Sequence, residues 1–115
     1  MRLKAEIWVK AYIRQCSGNG APAVVFRRGQ ADGGAIYIKV NTLDGKVCVF
    51  GPAPAGLEDA GSDRIFSRCP GADGVSEAEA DAYLRRQMEF DPDIWIVEVE
   101  DREGRHFLGD ALSED

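Results

Sequence analysis

The sequence predicts an α+β fold: a two-layer domain in which a mainly antiparallel sheet of four to six strands packs against two helices, in the order α-β-β-β-(β)-α-β-β. Three observations carry this prediction. Apolar residues recur at helical spacing over two stretches, short β-rich runs alternate apolar with polar residues between turn signals, and a capping box opens the second helical stretch.

From Ala5, residues Trp8, Val9, Tyr12, Ile13 and Cys16 follow the spacing of one helix face, with Lys4, Glu6, Lys10 and Arg14 elsewhere on the cylinder. A strand reading competes, because Ile7, Val9, Ala11 and Ile13 alternate with Glu6, Lys10 and Arg14. The length of the stretch and its stop at Gly18 and Gly20 favour the helix. Three β-rich segments follow, Ala23 to Arg28, Ala35 to Asn41 and Lys46 to Phe50. Turn residues Asp32-Gly33-Gly34 and Asp44-Gly45 separate them, so they read as an antiparallel meander. In the second segment Ile36, Ile38 and Val40 face one way and Tyr37, Lys39 and Asn41 the other, which predicts one buried sheet face and one at least partly wet.

Residues 51–75 are punctuated by Pro52, Pro54, Pro70 and several glycines. A structureless connection of that length is uncommon, so a fourth short strand is placed at Arg64 to Arg68. Ser76-Glu77-Ala78-Glu79 is the capping box, and Ala80, Tyr83, Leu84, Gln87 and Met88 continue one face of the helix it starts. The Asp91-Pro92 step ends that helix, because the residue before proline avoids helical backbone. Ile94 to Glu100 reads as a strand, with Trp95, Val97 and Val99 on one side and Ile94, Ile96, Glu98 and Glu100 on the other. A turn at Asp101 to Gly104 leads to a short return strand at His106 to Leu108. Residues 1–110 are read as one globular domain and 111–115 as a frayed tail.

At 115 residues, with 44% hydrophobic and 30% charged residues, the chain reads as an ordinary globular domain. Its net charge of -6 conceals a split. Residues 1–50 hold 8 basic and 3 acidic residues, and residues 51–115 hold 6 basic and 17 acidic. No run of apolar residues is long enough for a membrane span, and Lys10 interrupts and Arg14 closes the first candidate stretch for a secretory leader, so a cytoplasmic location is expected. Cys16, Cys48 and Cys69 are odd in number, far apart and in no C-x-x-C pair, so they read as small apolar residues rather than a disulfide or zinc framework.

The candidate binding residues are Arg27, Arg28, Arg68, Gly71, Asp91, Asp93 and His106. His106 stands near Glu98, Glu100, Asp101 and Glu103, where a carboxylate could make it a general base or metal ligand, but a lone histidine beside a hairpin is usually structural. The carboxylates from Asp91 to Glu103 match no calcium-loop pattern, and no metal is expected. Arg68 and Gly71 fit part of the R/Q-x-x-G-x-G/A loop with which acyl-coenzyme A-dependent acetyltransferases hold pyrophosphate. Asp73 stands where a small residue belongs, and with Glu77, Glu79 and Asp81 it makes the place poor for an anion. Arg27 and Arg28, with Arg14, Lys39 and Tyr37, could hold RNA on a sheet, yet no RNP1-like motif is present. Trp8 and Trp95 lie on apolar faces and read as core.

The stretches Met1 to Lys4 with Trp8-Val9 and Ala11-Tyr12, Arg27-Arg28-Gly29 with Gly34-Ala35-Ile36, Val40-Asn41 with Leu43-Asp44-Gly45, Gly51 to Pro54, Glu77 to Leu84, Phe90 to Asp93 and Gly104 to Phe107 resemble those of an alphaproteobacterial family, domain-of-unknown-function family 1491. The resemblance spans nearly the whole chain. It implies a bacterial, stand-alone, single-domain protein, and it carries no activity, substrate or catalytic residue. The expected function is a noncatalytic binding or protein-interaction module with a protein partner or a second copy of the chain. A small acyl-coenzyme A or nucleotide-binding protein or enzyme is the alternative and an RNA-binding sheet a further one. No cofactor and no membrane contact is expected, and nucleic acid is disfavoured by the acidic balance.

Overall fold

A computed structural model describes residues 3–54 and 64–113. The elements are α1 (Ala5–Gly18), β1 (Ala23–Arg27), β2 (Ile36–Asn41), β3 (Val47–Pro52), β4 (Phe66–Val75), α2 (Glu77–Phe90), β5 (Trp95–Glu100) and a 3-10 turn at Gly109–Ala111. The α+β class, the two helices and the mainly antiparallel sheet agree with the sequence reading. The fourth strand exists and is longer than expected, ten residues rather than five. Pro70 is compatible with it because β4 lies at the sheet edge, where a missing N–H costs no ladder bond.

The strand order is β1-β5-β2-β3-β4. The expected three-strand meander is therefore corrected. β2 and β3 do form an antiparallel hairpin, but β5 inserts between β1 and β2, antiparallel to β1 and parallel to β2. Burial on both faces explains the insertion. Trp95, Ile96, Val97 and Val99 are all buried, so β5 needs neighbours on both sides and cover above and below. The segment between β1 and β2 serves as a clasp for β5 rather than as a hairpin turn. The Gln30 N–H donates to the Asp93 carbonyl at 2.9 Å, and the Trp95 indole N–H donates to the Gln30 carbonyl at 2.8 Å. Gly29 and Gly34 leave room for this approach. A Cβ on either would collide with the Asp93 carbonyl, and one on Gly29 would stand 2.6 Å from the Ile94 carbonyl carbon. The same clasp closes α1, whose Ala5 and Glu6 N–H groups donate to the carbonyls of Asp32 and Ala31 in place of a side-chain cap.

The expected two-layer stacking is also corrected, since the helices lie on opposite faces. Val9, Tyr12 and Cys16 of α1 pack with Ile36, Ile38, Val40, Val97 and Val99. Ala80 and Leu84 of α2 pack with Val47, Val49, Ile94 and Ile96. Alternation along β2 and β5 assigns these sets to the two sides. The expected return strand at His106 to Leu108 is absent. Tyr12 donates its hydroxyl to the His106 carbonyl at 2.6 Å and Phe107 has a φ of 57°, so the chain turns back onto α1 instead of pairing with β5. Beyond it, Leu112 forms a parallel bridge with Phe66, and the Ser113 N–H donates to the Phe66 carbonyl at 2.7 Å.

Candidate functional site

Lys39 faces α2 from the middle of the sheet and is only 2% exposed. Its ammonium donates to Asp81 at 2.9 Å and to Glu77 at 3.0 Å, and lies 3.8 Å from Glu98. The Phe26 ring covers it with its centroid 5.6 Å away. Burial works to lower the Lys39 pKa, but the hydrogen bonds it donates to Asp81 and Glu77 and the attraction of Glu98 outweigh it, so the net shift is upward. The capping box, with Glu79 N–H donating to the Ser76 hydroxyl at 3.2 Å, fixes the first turn of α2 and so aims Glu77 and Asp81 at Lys39. Sequence reading missed this cluster and placed Lys39 on a wet face. The available signal was the i, i+4 pair Glu77 and Asp81 on the capped helix.

Next to the cluster runs the edge of β1, which among the described residues has no second strand beside it. Val24, Val25 and Phe26 are 58%, 41% and 59% exposed. Most natural edge strands carry charges that deter pairing, and this stretch carries none from Gly20 to Phe26. A β-bulge falls between Val25 and Arg27, so the straight part of the edge is Ala23 to Val25.

The predicted site residues fall into three places. Arg27, Arg28, Asp91 and Asp93 come together around the start of β5. The Arg27 guanidinium donates to the Ile94 carbonyl at 2.8 Å, and Arg28 pairs with Glu6 and lies over the Trp95 ring. Asp91 accepts from the Asp93 N–H at 2.9 Å in the turn after α2. These contacts build the clasp. A shallow cleft of about 210 Å³ lies beside it, lined by Gly33, Ala35, Pro52, Arg64, Phe66 and Asp91. Arg68 and Gly71 lie inside β4 rather than in a loop ahead of a helix. Arg68 is 3.7 Å from Asp73 and stacks over Phe50. His106 lies on the α1 side, its ring against the same Phe50 that Arg68 covers and its Nδ1 accepting from the Leu108 N–H at 3.0 Å. Among the described residues no three His, Cys, Asp or Glu side chains are grouped to hold a metal ion. Burial raises the pKa of the Cys16 and Cys69 thiols, as fits their reading as apolar residues. No helix of the described residues is long and apolar enough to cross a membrane.

Residues 3–109 match the family model described as a protein of unknown function, DUF1491. The chain belongs to the DUF1491 family. The crystal structure of a DUF1491 protein from Caulobacter crescentus CB15 is 38% identical, with a TM-score of 0.81 over 99% of this chain and 100% of that one. An NMR structure of a DUF1491 protein from the same organism is 39% identical, with a TM-score of 0.80 over 99% of both chains. The solution structure of an A. tumefaciens protein is 37% identical over 87% of this chain and 86% of that one, with a TM-score of 0.75. Among curated proteins nothing matches. The DUF1491 likeness confirms the family resemblance read from the sequence and brings no chemistry with it.

Proposed function

We propose that the protein is a noncatalytic, cytoplasmic interaction module whose working surface is the β1 edge. One observation carries the reading: three consecutive apolar residues, Val24, Val25 and Phe26, are exposed on a strand that, among the described residues, has a neighbour on one side only. Edge strands with this character accept an added strand, whose affinity comes from main-chain hydrogen bonds and whose specificity comes from alternate side chains. The other readings find less support. Arg68 and Gly71 offer no helix-start cradle for a coenzyme A pyrophosphate, because both sit in β4. An RNA platform needs an open sheet face, and here each face carries a helix.

Photo-crosslinking in the host cell tests the reading. A benzophenone side chain at Val25 is expected to give one adduct, identifiable by mass spectrometry and absent when the probe stands at the exposed Arg102. Equal labelling from both positions, or none from either, sinks the assignment of β1 as the working surface.

A further inference from the structure

We infer that the occupant of the β1 edge is a second copy of this chain, joined by antiparallel β1–β1 pairing with its two-fold axis at Val24. The inference rests on the interaction reading above and names its partner. The Glu100 N–H donates to the Pro22 carbonyl at 2.9 Å, and Val24 stands opposite Glu98. Main-chain groups alternate in an antiparallel ladder, so the N–H and C=O of Ala23 and Val25 point away from β5. That spacing is self-complementary. Rotating a second β1 about Val24 sets each Ala23 opposite the other copy's Val25, and the two pairs exchange four N–H···O bonds.

The side chains agree with this register. With no charge from Gly20 to Phe26, like charges do not meet across the axis. Charges of opposite sign flank the stretch, Arg27 at one end and the exposed Glu100 beside Pro22 at the other. Antiparallel pairing lays the Arg27 end of each copy alongside the Glu100 end of its partner, so the edge is electrostatically complementary to itself. Val24 then packs on its own counterpart, with the two Phe26 rings diagonal to it on the same face. The bulge after Val25 limits pairing to three residues per copy, which makes the dimer small and reversible. The opposite edge does not compete. Register shifts interrupt β4 opposite β3, Pro70 removes a donor, and Leu112 and Ser113 engage its first residue.

Sedimentation equilibrium of the full chain decides the matter. The mass is expected to climb from 12.6 kDa towards twice that between about 10 µM and 1 mM. Val24→Lys and Val24→Glu each place like charges on the axis and are expected to stay monomeric, whereas their equimolar mixture associates again. Val24 is more than half exposed, so both variants are expected to fold, which circular dichroism checks. A wild type that stays monomeric at 1 mM overturns the inference, as does a dimer insensitive to Val24→Lys or a mixture that fails to recover. If the wild type is monomeric while the Val25 crosslink to another protein persists, the second copy is wrong and the β1 interaction reading survives.

Discussion

Replacing Lys39 by Met tests the buried charge cluster, because it keeps the side-chain stem and the contact with Phe26 while deleting the ammonium. Breaking a fully buried ion pair costs about 3–5 kcal/mol, since the abandoned partner keeps its charge in a poor solvent. Here the three carboxylates differ in their access to water. The Glu77 and Asp81 side chains are 55% and 41% exposed, and water can take over their hydrogen bonds. Glu98 is 18% exposed and is left facing two like charges. The expected loss is therefore smaller than for a sealed pair, about 2–3 kcal/mol in urea unfolding. The sign of a second substitution is the sharper test. Glu98→Gln destabilises the wild type by removing attraction to Lys39, but in the Lys39→Met background it is expected to stabilise by about 1 kcal/mol by removing repulsion. The upward pKa of Lys39 adds a pH signature. Its stabilising contribution is complete below the unfolded lysine value of about 10.4 and is lost as pH rises through the higher folded value, a step that Lys39→Met lacks. A Lys39→Met protein within 0.5 kcal/mol of wild type, or a Glu98→Gln change that destabilises both backgrounds, would refute the reasoning.

Gly34→Ala drives a Cβ into the Asp93 carbonyl and to within 2.9 Å of the Gln30 carbonyl, and is expected to cost about 3 kcal/mol in chemical denaturation; a cost under 1 kcal/mol means that the clasp can open. Ser76→Ala removes the hydroxyl that caps α2, for an expected loss of about 1 kcal/mol. Tyr12→Phe deletes the hydrogen bond to the His106 carbonyl and is expected to cost about 1 kcal/mol, with the largest amide shifts over residues 106–112 in a heteronuclear spectrum. The Asp101 carboxyl is held below its ordinary pKa by hydrogen bonds from the Arg105 side chain and backbone, against its own desolvation. Its contribution is present above the unfolded value of about 3.9 and disappears as pH falls through the lower folded value. Asp101→Asn is therefore expected to flatten the acid limb of the stability profile, and an unchanged limb would show that the Asp101–Arg105 pair is not coupled to folding.

Local signals in the chain were reliable where they acted locally. Helical spacing located α1 despite the competing alternation of Ile7, Val9, Ala11 and Ile13, and the Ser76 capping box marked the start of α2 to the residue. Alternation also sorted Ile36, Ile38 and Val40 to one side of β2. The failures share a cause in sequence separation. Asp32-Gly33-Gly34 has the composition of a hairpin turn, but Gly34 is there to let Asp93 approach, about 60 residues later, and nothing local distinguishes the two uses. The burial of Lys39 likewise depends on α2 crossing the face opposite α1. Of the predicted site residues, Arg27, Arg28, Asp91 and Asp93 do converge, although the contacts of the two arginines brace β5. Arg68 and Gly71 were singled out by a partial loop motif and His106 by residue type, and the fold puts the first two inside β4 and His106 beyond β5.

The place of β5 in the sheet sets a condition on the order of folding. Pairing begins for β1 only when residues 95–100 arrive, so during synthesis the first strand emerges long before its neighbour. On a ribosome adding about 5–20 residues per second, the nascent chain carries an unpaired strand, uncharged from Ala23 to Phe26, for several seconds. β2, β3 and β4 can assemble in that interval because they neighbour one another in sequence as well as in space. The closing step is a long-range insertion of high contact order, which makes it the slow step of folding and the one most exposed to misassembly. A chain stopped before Trp95 would leave β1 and β2 without the strand that joins them.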